Sequence, residues 1–328
     1  MAMNDARLAA LNSAKLNALV TAVAGTSCDH VVQPGLSLSC GIVGDRLFAL
    51  ADRLGDLGPI LAWAQTKGGG RLTVFADTAN ELAGHLARRA SLLSADVTVM
   101  GIIGAEAVPA EPGRLPEPPD LGEDLWRAAA VMADAGARVV DDHGHLTGEV
   151  LGLEVARVEP AGSEGEEISV RVGVGRADRE LQGFVLGHLD DIERLHRSVA
   201  LVVSQRRSGV ALHPLNRLAR PRWLRSILLD DPAAIDLVDL DPLPPLWPDG
   251  GLYTEPSAAF SPSDRATVVC SAGLDFDLLP QAVDYRHRID PSSSLTLVVP
   301  HRDRELVERR VAGAAPGLSV RSVDTPWG

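Results

Sequence analysis

The sequence predicts an α/β protein: a parallel or mixed sheet flanked by helices, with a β-hairpin in the middle of the chain. Three observations carry that expectation. Short apolar runs (RLTVFA, DVTVMGII, TVVCS, LTLVV) alternate with stretches of helical period near both ends of the chain. Residues 136–176, GARVVDDHGHLTGEVLGLEVARVEPAGSEGEEISVRVGVGR, have the alternation and turn residues of paired strands. The composition, 45% hydrophobic and 23% charged, is that of a globular chain, and with only 4% aromatics the core must be mainly Leu, Val and Ala.

Taken in order, Leu8, Leu11, Leu16, Leu19, Val20 and Val23 recur at helical spacing and predict an amphipathic helix ended by Gly25. Residues 36–43 read as a strand after a Gln33-Pro34-Gly35 turn, and 46–65 as a second helical stretch broken near Gly55, Gly58 and Pro59. Residues 71–76, 78–93 and 96–103 form a strand, helix and strand, with a crossover long enough for a parallel pair. The proline-rich stretch 108–120 (VPAEPGRLPEPPD) reads as a linker or long surface connection. A helix follows at 121–135, with Asp120 as N-cap and Gly136 as terminator.

After the central β segment, Leu181, Val185, Leu189, Ile192, Leu195, Val199 and Val202 keep a 3.6-residue period, predicting a helix over 179–205. At 1.5 Å per residue it would run about 40 Å, and its apolar stripe needs the sheet or a second subunit as partner. Pro214 and Pro221 suit first-turn positions of two short helices, 214–219 and 221–229. PLPPLWPDGG then marks a boundary near residue 245. The tail reads as strand 267–271, helix 276–288, strand 295–299, helix 304–314 and strand 318–323. The 328 residues exceed a single typical domain, and the breaks suggest lobes at 1–110, 120–230 and 245–328.

Composition narrows the classes of function. The net charge of -13, from 44 acidic and 31 basic residues, disfavours nonspecific binding to phosphate backbones, so any nucleic-acid site would be local. Lys15 and Lys67 are the only lysines, a usage typical of high-GC bacterial genes. Cys28, Cys40 and Cys270 are too few and scattered for a disulfide framework or a paired zinc or redox motif, and Cys28, His30 and Cys40 lack metal-ligand spacing. The opening residues lack the apolar core of a signal peptide, and no run reaches the roughly 20 apolar residues of a membrane span. The expectation is a soluble cytoplasmic protein that does not engage membranes.

Several groups of side chains are candidates for chemistry. Asp141, Asp142, His143 and His145 form the densest polar cluster, with ligand types suited to a transition metal or to proton transfer; Asp-Asp-His-Gly is equally the sequence of a tight turn in which Gly144 takes positive φ. A helix followed by GARVVDD, GHLTGEVLGLEVARVE and EEISVRVGVGR resembles the helix and three-strand core of the restriction-endonuclease-like, PD-(D/E)XK, superfamily. That resemblance implies a divalent metal held by an acidic residue on the second strand, here Glu149, and by a Glu-x-Lys on the third. The Glu-x-Lys position falls on Gly173-Val174-Gly175, which has no metal-binding side chain, so the resemblance extends to the fold and not to cleavage. The plainer reading is a hairpin whose Glu149 and Glu154 face solvent.

Ligands in open parallel sheets bind beyond the carboxyl ends of strands. Ser271, Gly273, Asp275 and Asp277 follow one tail strand, and His301, Arg302 and Asp303 follow the next. If the strands are neighbours, these groups face one crevice and suit a small anionic ligand, with His301 as a catalytic proton carrier; Asp275, Asp277 and Asp303 also fit as N-caps. Arg206, Arg207, His213, Arg217, Arg220, Arg222 and Arg225, with Trp223 among them, form the one basic region. It is suited to a polyanion, including nucleic acid, unless Asp230, Asp231, Asp236, Asp239 and Asp241 neutralise it. The glycines Gly68, Gly69 and Gly70 precede a strand instead of following one, so they read as a turn and not as a phosphate loop.

Three functions fit these features: a non-enzymatic binding or assembly protein that oligomerises through the 179–205 helix; an enzyme or sensor for a small anion or nucleotide at the tail strand ends; and a catalytically degenerate nuclease-like protein that holds nucleic acid through Arg217, Arg220, Arg222 and Arg225. No cofactor is specified by any motif.

Overall fold

The computed structural model describes residues 2–32, 38–161, 167–173, 191–210, 213–247 and 255–327, and shows an α/β fold in two compact units. The expected turn at Gln33-Pro34-Gly35, the first half of the expected long helix, and Val174-Gly175 lie outside the described residues.

The first unit comprises Met1–Leu115, Phe276–Arg288 and Glu308–Leu318. Its sheet runs in chain order: β1 (His30–Val32), β2 (Ser39–Val43), β3 (Arg46–Ala51), β4 (Leu72–Asp77), β5 (Val97–Ile103) and β6 (Glu106–Pro109). β3, β4 and β5 are parallel and the outer pairings antiparallel. Helix α1 (Ala2–Ala24), ended by Gly25 at φ +77°, sets Leu16, Leu19 and Val20 against Phe48, Leu50 and Phe75. Helices α2 (Leu57–Thr66) and α3 (Leu82–Ser91) pack Ile60, Trp63 and Leu86 onto Leu47, Ala49 and Val74. Residues 46–51 are thus a strand and not the start of a helix. LFALA is buried throughout, and a fully buried strand has no period by which to distinguish it from a helical segment.

The unit is completed by α7 (Leu278–Ile289). Its Asp284, fully buried, receives Arg88 at 2.9 Å and Arg89 at 2.6 Å, two cations placed in succession on α3. A Cβ on Gly58 would come within 1.9 Å of the Phe276 carbonyl oxygen, so α2 and the chain entering α7 meet backbone to backbone.

The second unit comprises Pro116–Asp275, Ile289–Val307 and Ser319–Gly328, so the residues expected as a 245–328 lobe are shared between the units. Its first sheet is an antiparallel meander that contains the expected central hairpin and divides the expected long strand in two: β7 (Arg138–Asp142), β8 (His145–Val150), β9 (Leu153–Ala161) and β10 (Glu167–Val172). Helices α4 (Glu123–Asp134) and α5 (Asp191–Gln205) bury Ala129, Met132, Leu195 and Val202 with Leu146, Leu153 and Val158. The N-cap of α4 is Gly122, not Asp120.

The second sheet runs β11 (Asp241–Pro242), β12 (Ser257–Ser261), β13 (Ala266–Cys270), β14 (Ser294–Pro300) and β15 (Leu318–Val323). β13 and β14 are parallel, whereas β12 is antiparallel to β13. Helix α6 (Arg220–Asp230) lays Leu224 and Leu228 on Ala259, Val268 and Val298, and α8 (Arg304–Val311) links β14 to β15. Strand β12 is SAAFS, without a β-branched residue, and its pairing with β13 overrides weak local preference. Among the described residues no helix is long and apolar enough to cross a membrane.

Candidate functional site

Two turns organise the polar interior of the second unit. His143 and Gly144, at φ +56° and +80°, join β7 to β8, and Leu151 and Gly152, at φ +48° and +76°, join β8 to β9. Positive φ at both central residues is the geometry that matches strand twist in two-residue hairpins. The Asp141 carboxylate accepts the Gly144 N–H at 2.7 Å, so Asp-Asp-His-Gly serves as the turn. At the second turn α6 lies directly on Gly152, where a Cβ would stand 2.3 Å from the Arg222 carbonyl carbon.

That approach sets two arginines of α6 over β7 and β8. Arg222 donates to Asp142 at 2.7 and 3.1 Å and to Glu149 at 3.1 Å, and Arg225 donates to the other Glu149 oxygen at 2.7 Å. Arg157 donates to Glu154 at 3.0 and 3.1 Å and reaches Asp142 at 3.4 Å. Asp142, Glu149, Glu154 and Arg225 are all buried. Burial alone would raise the Asp142 pKa; hydrogen bonds and charge from Arg222, with His143 and Arg157, outweigh it and hold the carboxyl below its ordinary range.

Glu149 and Glu154 therefore do not face solvent, and both Glu149 oxygens are occupied by arginines instead of a metal. The basic region is not neutralised by the aspartates that follow it either. Asp230 pairs with Arg138 at 2.7 Å, Asp236 lies 3.6 Å from Arg321, and Asp239 accepts from Ser261 and Ser263. Of the metal candidates, Asp142 and His143 stay together, with Nε2 3.5 Å from an Asp142 oxygen, but Asp142 is held by Arg222, the His143 Nδ1 meets the Trp247 carbonyl, and His145 is exposed. Among the described residues no group of three His, Cys, Asp or Glu side chains is placed to hold a metal ion.

Arg206 is likewise internal. It donates to the carbonyls of Leu151, Leu215 and Leu218 and stands 4.5 Å from the centre of the Trp223 ring. Burial pushes its pKa down to about 9, which Glu149 opposes and Arg220 reinforces. Arg206, Arg222 and Arg225 form the scaffold half of the basic region.

The other half faces the strand ends. The parallel neighbours β13 and β14 bring Ser271, Gly273 and the turn His301–Asp303 to one edge, where the Gly273 N–H donates to Asp303 at 2.9 Å. Ser271 is fully buried, its N–H donates to the Val298 carbonyl, and its hydroxyl has no hydrogen-bond partner among the described residues. His301 Nδ1 lies 2.7 Å from the Ser322 hydroxyl. Arg302 is exposed, with Nε 3.7 Å from Asp303.

Arg220 opens α6 and Arg217 ends the short 3-10 turn before it, Pro214–Arg217. The Arg220 pKa is lowered by partial burial and then by the charges of Arg302 and Arg217, while Asp303 opposes the shift. The Arg220 guanidinium lies 5.7 Å from the centre of the Trp327 ring, which is itself packed against Trp223 at 4.6 Å. Asp275 is half-buried in the second unit, whereas Asp277 belongs to the first, where Arg89 and Gln281 hold its carboxylate at 3.0 and 2.9 Å. Burial raises the Asp277 pKa, with Arg89 opposing. Asp277 is therefore not part of the strand-end group. The sequence reading missed the connection of Arg217 and Arg220 to Arg302, and it missed Trp327. A tryptophan next to the C-terminus was the available signal.

Comparison with family models, with curated proteins and with solved structures finds no match to this chain.

Proposed function

We propose that the second unit binds a small phosphorylated compound through Arg217, Arg220 and Arg302. The observation that carries this reading is that the charges of Arg302 and Arg217, opposed by Asp303, all act on the Arg220 guanidinium near the carboxyl ends of parallel strands. Neighbouring cations repel, and an anion of higher charge relieves that repulsion. A phosphate monoester carries about -1.5 to -2 charges and three acceptor oxygens, which match the donor forks of arginine. Ser271 is a further hydroxyl at this edge, and Trp327 supplies an aromatic surface for the organic part of the ligand. The reading assigns binding and no reaction.

The competing readings have less support. Leu195 and Val202 of α5 are buried in the unit's own core, while Ile192, Leu201 and Val203 remain exposed but bring no charged or polar group that would recognise a partner. Arg222 and Arg225, needed for a nucleic-acid surface, are bound to Asp142 and Glu149. The three cysteines are free, which suits the reducing cytoplasm where phosphorylated metabolites occur.

Calorimetric titration with phenyl phosphate tests the proposal. Saturable binding is expected, weakened about tenfold or more in Arg220→Gln, a loss of at least ~1.4 kcal/mol. Binding should also fall as pH drops below about 6, where the phosphate gains a proton and loses charge. Absence of binding, or equal affinity in the variant, overturns the reading.

A further inference from the structure

We infer that the first unit holds a separate site for an aliphatic carboxylate of medium chain length. A cavity of about 440 Å³ opens between α2, the amino ends of β4 and β5, and the start of α7. Its wall is aliphatic, formed by Leu61, Ala64, Leu72, Leu93, Val97 and Leu279, with no aromatic ring among the lining residues. Apolar cavities of this kind take apolar guests in preference to water, and the volume falls within the range of small-molecule sites. An extended hydrocarbon suits such a wall better than a planar ring that needs stacking partners.

The polar groups of the lining define the other end of the ligand. Gln65, Arg71 and Asp96 are among the lining residues, and Gln65 is already engaged by the Arg310 carbonyl at 2.8 Å. Arg71 touches Asp96 only through Nε, at 3.4 Å, in an exposed pair worth little on its own. Its two terminal nitrogens make no hydrogen bond among the described residues, which leaves a planar fork free for a carboxylate. Lys67 is a second cation in the same loop, three residues before the glycine that precedes Arg71. Gly68, Gly69 and Gly70 adopt φ of +85°, +76° and +133°, and Gly69 and Gly70 line the cavity, so bare backbone forms that part of the wall. The glycine triplet, which the sequence presents as a plain turn, thus borders the site. Water occupies about 30 Å³ and a methylene is of similar size, so octanoate, with roughly ten heavy atoms, takes about 300 Å³ and fits.

Isothermal titration of the full chain with straight-chain acids below their micelle concentrations tests the site. Octanoate should bind with one site per chain. Hexanoate should bind about fifteenfold more weakly, because each of its two missing buried methylenes contributes roughly fourfold. Arg71→Gln, a change at an exposed side chain, should bring octanoate down to the affinity of octanol while leaving octanol unmoved. Ala314→Phe, which fills the cavity from its lining, should abolish binding of both and leave phenyl phosphate binding intact. Failure of octanoate to bind, equal affinity for hexanoate and octanoate, or equal octanoate affinity in wild type and Arg71→Gln would overturn the inference.

Discussion

Replacing Arg222 by leucine is expected to destabilise the second unit by about 3–5 kcal/mol, the usual cost of leaving a buried charge without its partner. Arg222 is the shared donor of the interior network. It holds both oxygens of Asp142 and one of Glu149, and these carboxylates are only 6% and 5% exposed at the side chain. Removing it leaves buried Asp142 with only Arg157 at 3.4 Å and His143 at 3.5 Å, and buried Glu149 with Arg225 alone. Changing Asp142 and Glu149 to apolar residues in the same chain should recover most of the loss, since a buried ion pair is often no better than well-packed hydrocarbon. Urea unfolding of the three proteins measures this, and a loss below about 1 kcal/mol in the single variant would mean that the network is not desolvated as described.

The same network sets an acid limit. Because the folded-state pKa of Asp142 is depressed, its contribution is present above the unfolded value near 3.9 and is lost as pH falls through the lower folded value. In Arg222→Leu the depression is gone, so that part of the acid sensitivity should go with it.

Gly152→Ala is expected to cost about 3 kcal/mol or more, from left-handed backbone strain of about 1–2 kcal/mol combined with overpacking. At φ +76° the added Cβ would stand 2.3 Å from the backbone of both Arg222 and Trp223, and backbone cannot move aside as a flexible side chain can. Gly209 is the natural control. Its φ is +77° and nothing lies within 4 Å of its added Cβ, so Gly209→Ala should show the strain alone. Equal losses at the two positions would show that α6 does not rest on the turn.

Much of the fold is legible in local pattern. The β4–α3–β5 unit and the alternation of strands and helices in the tail follow from apolar runs separated by helical period. What escaped has a physical reason in each case. β3 is buried on both faces and so carries no alternation, and β12 is held by its neighbours against weak propensity. Glu149 and Glu154 look solvent-facing because their partners are distant in sequence. Arg222 lies 73 residues beyond Glu149, and only the packing of α6 on Gly152 brings them together. The basic region showed its charge but not its division, since burial decides which arginines become scaffold. The adjacency of the ends of β13 and β14 could be anticipated from topology rules; the effect of Arg302 on Arg220 at the start of α6 could not.

The measurement that bears most directly on that division is arginine footprinting with phenylglyoxal, read by mass spectrometry with and without phenyl phosphate. Arg217, Arg220 and Arg302 should react in the free protein and be protected by the ligand, while Arg206, Arg222 and Arg225 stay unmodified in both. Reaction at Arg222 and Arg225 as fast as at Arg217, or no protection at Arg220 and Arg302, would contradict the account.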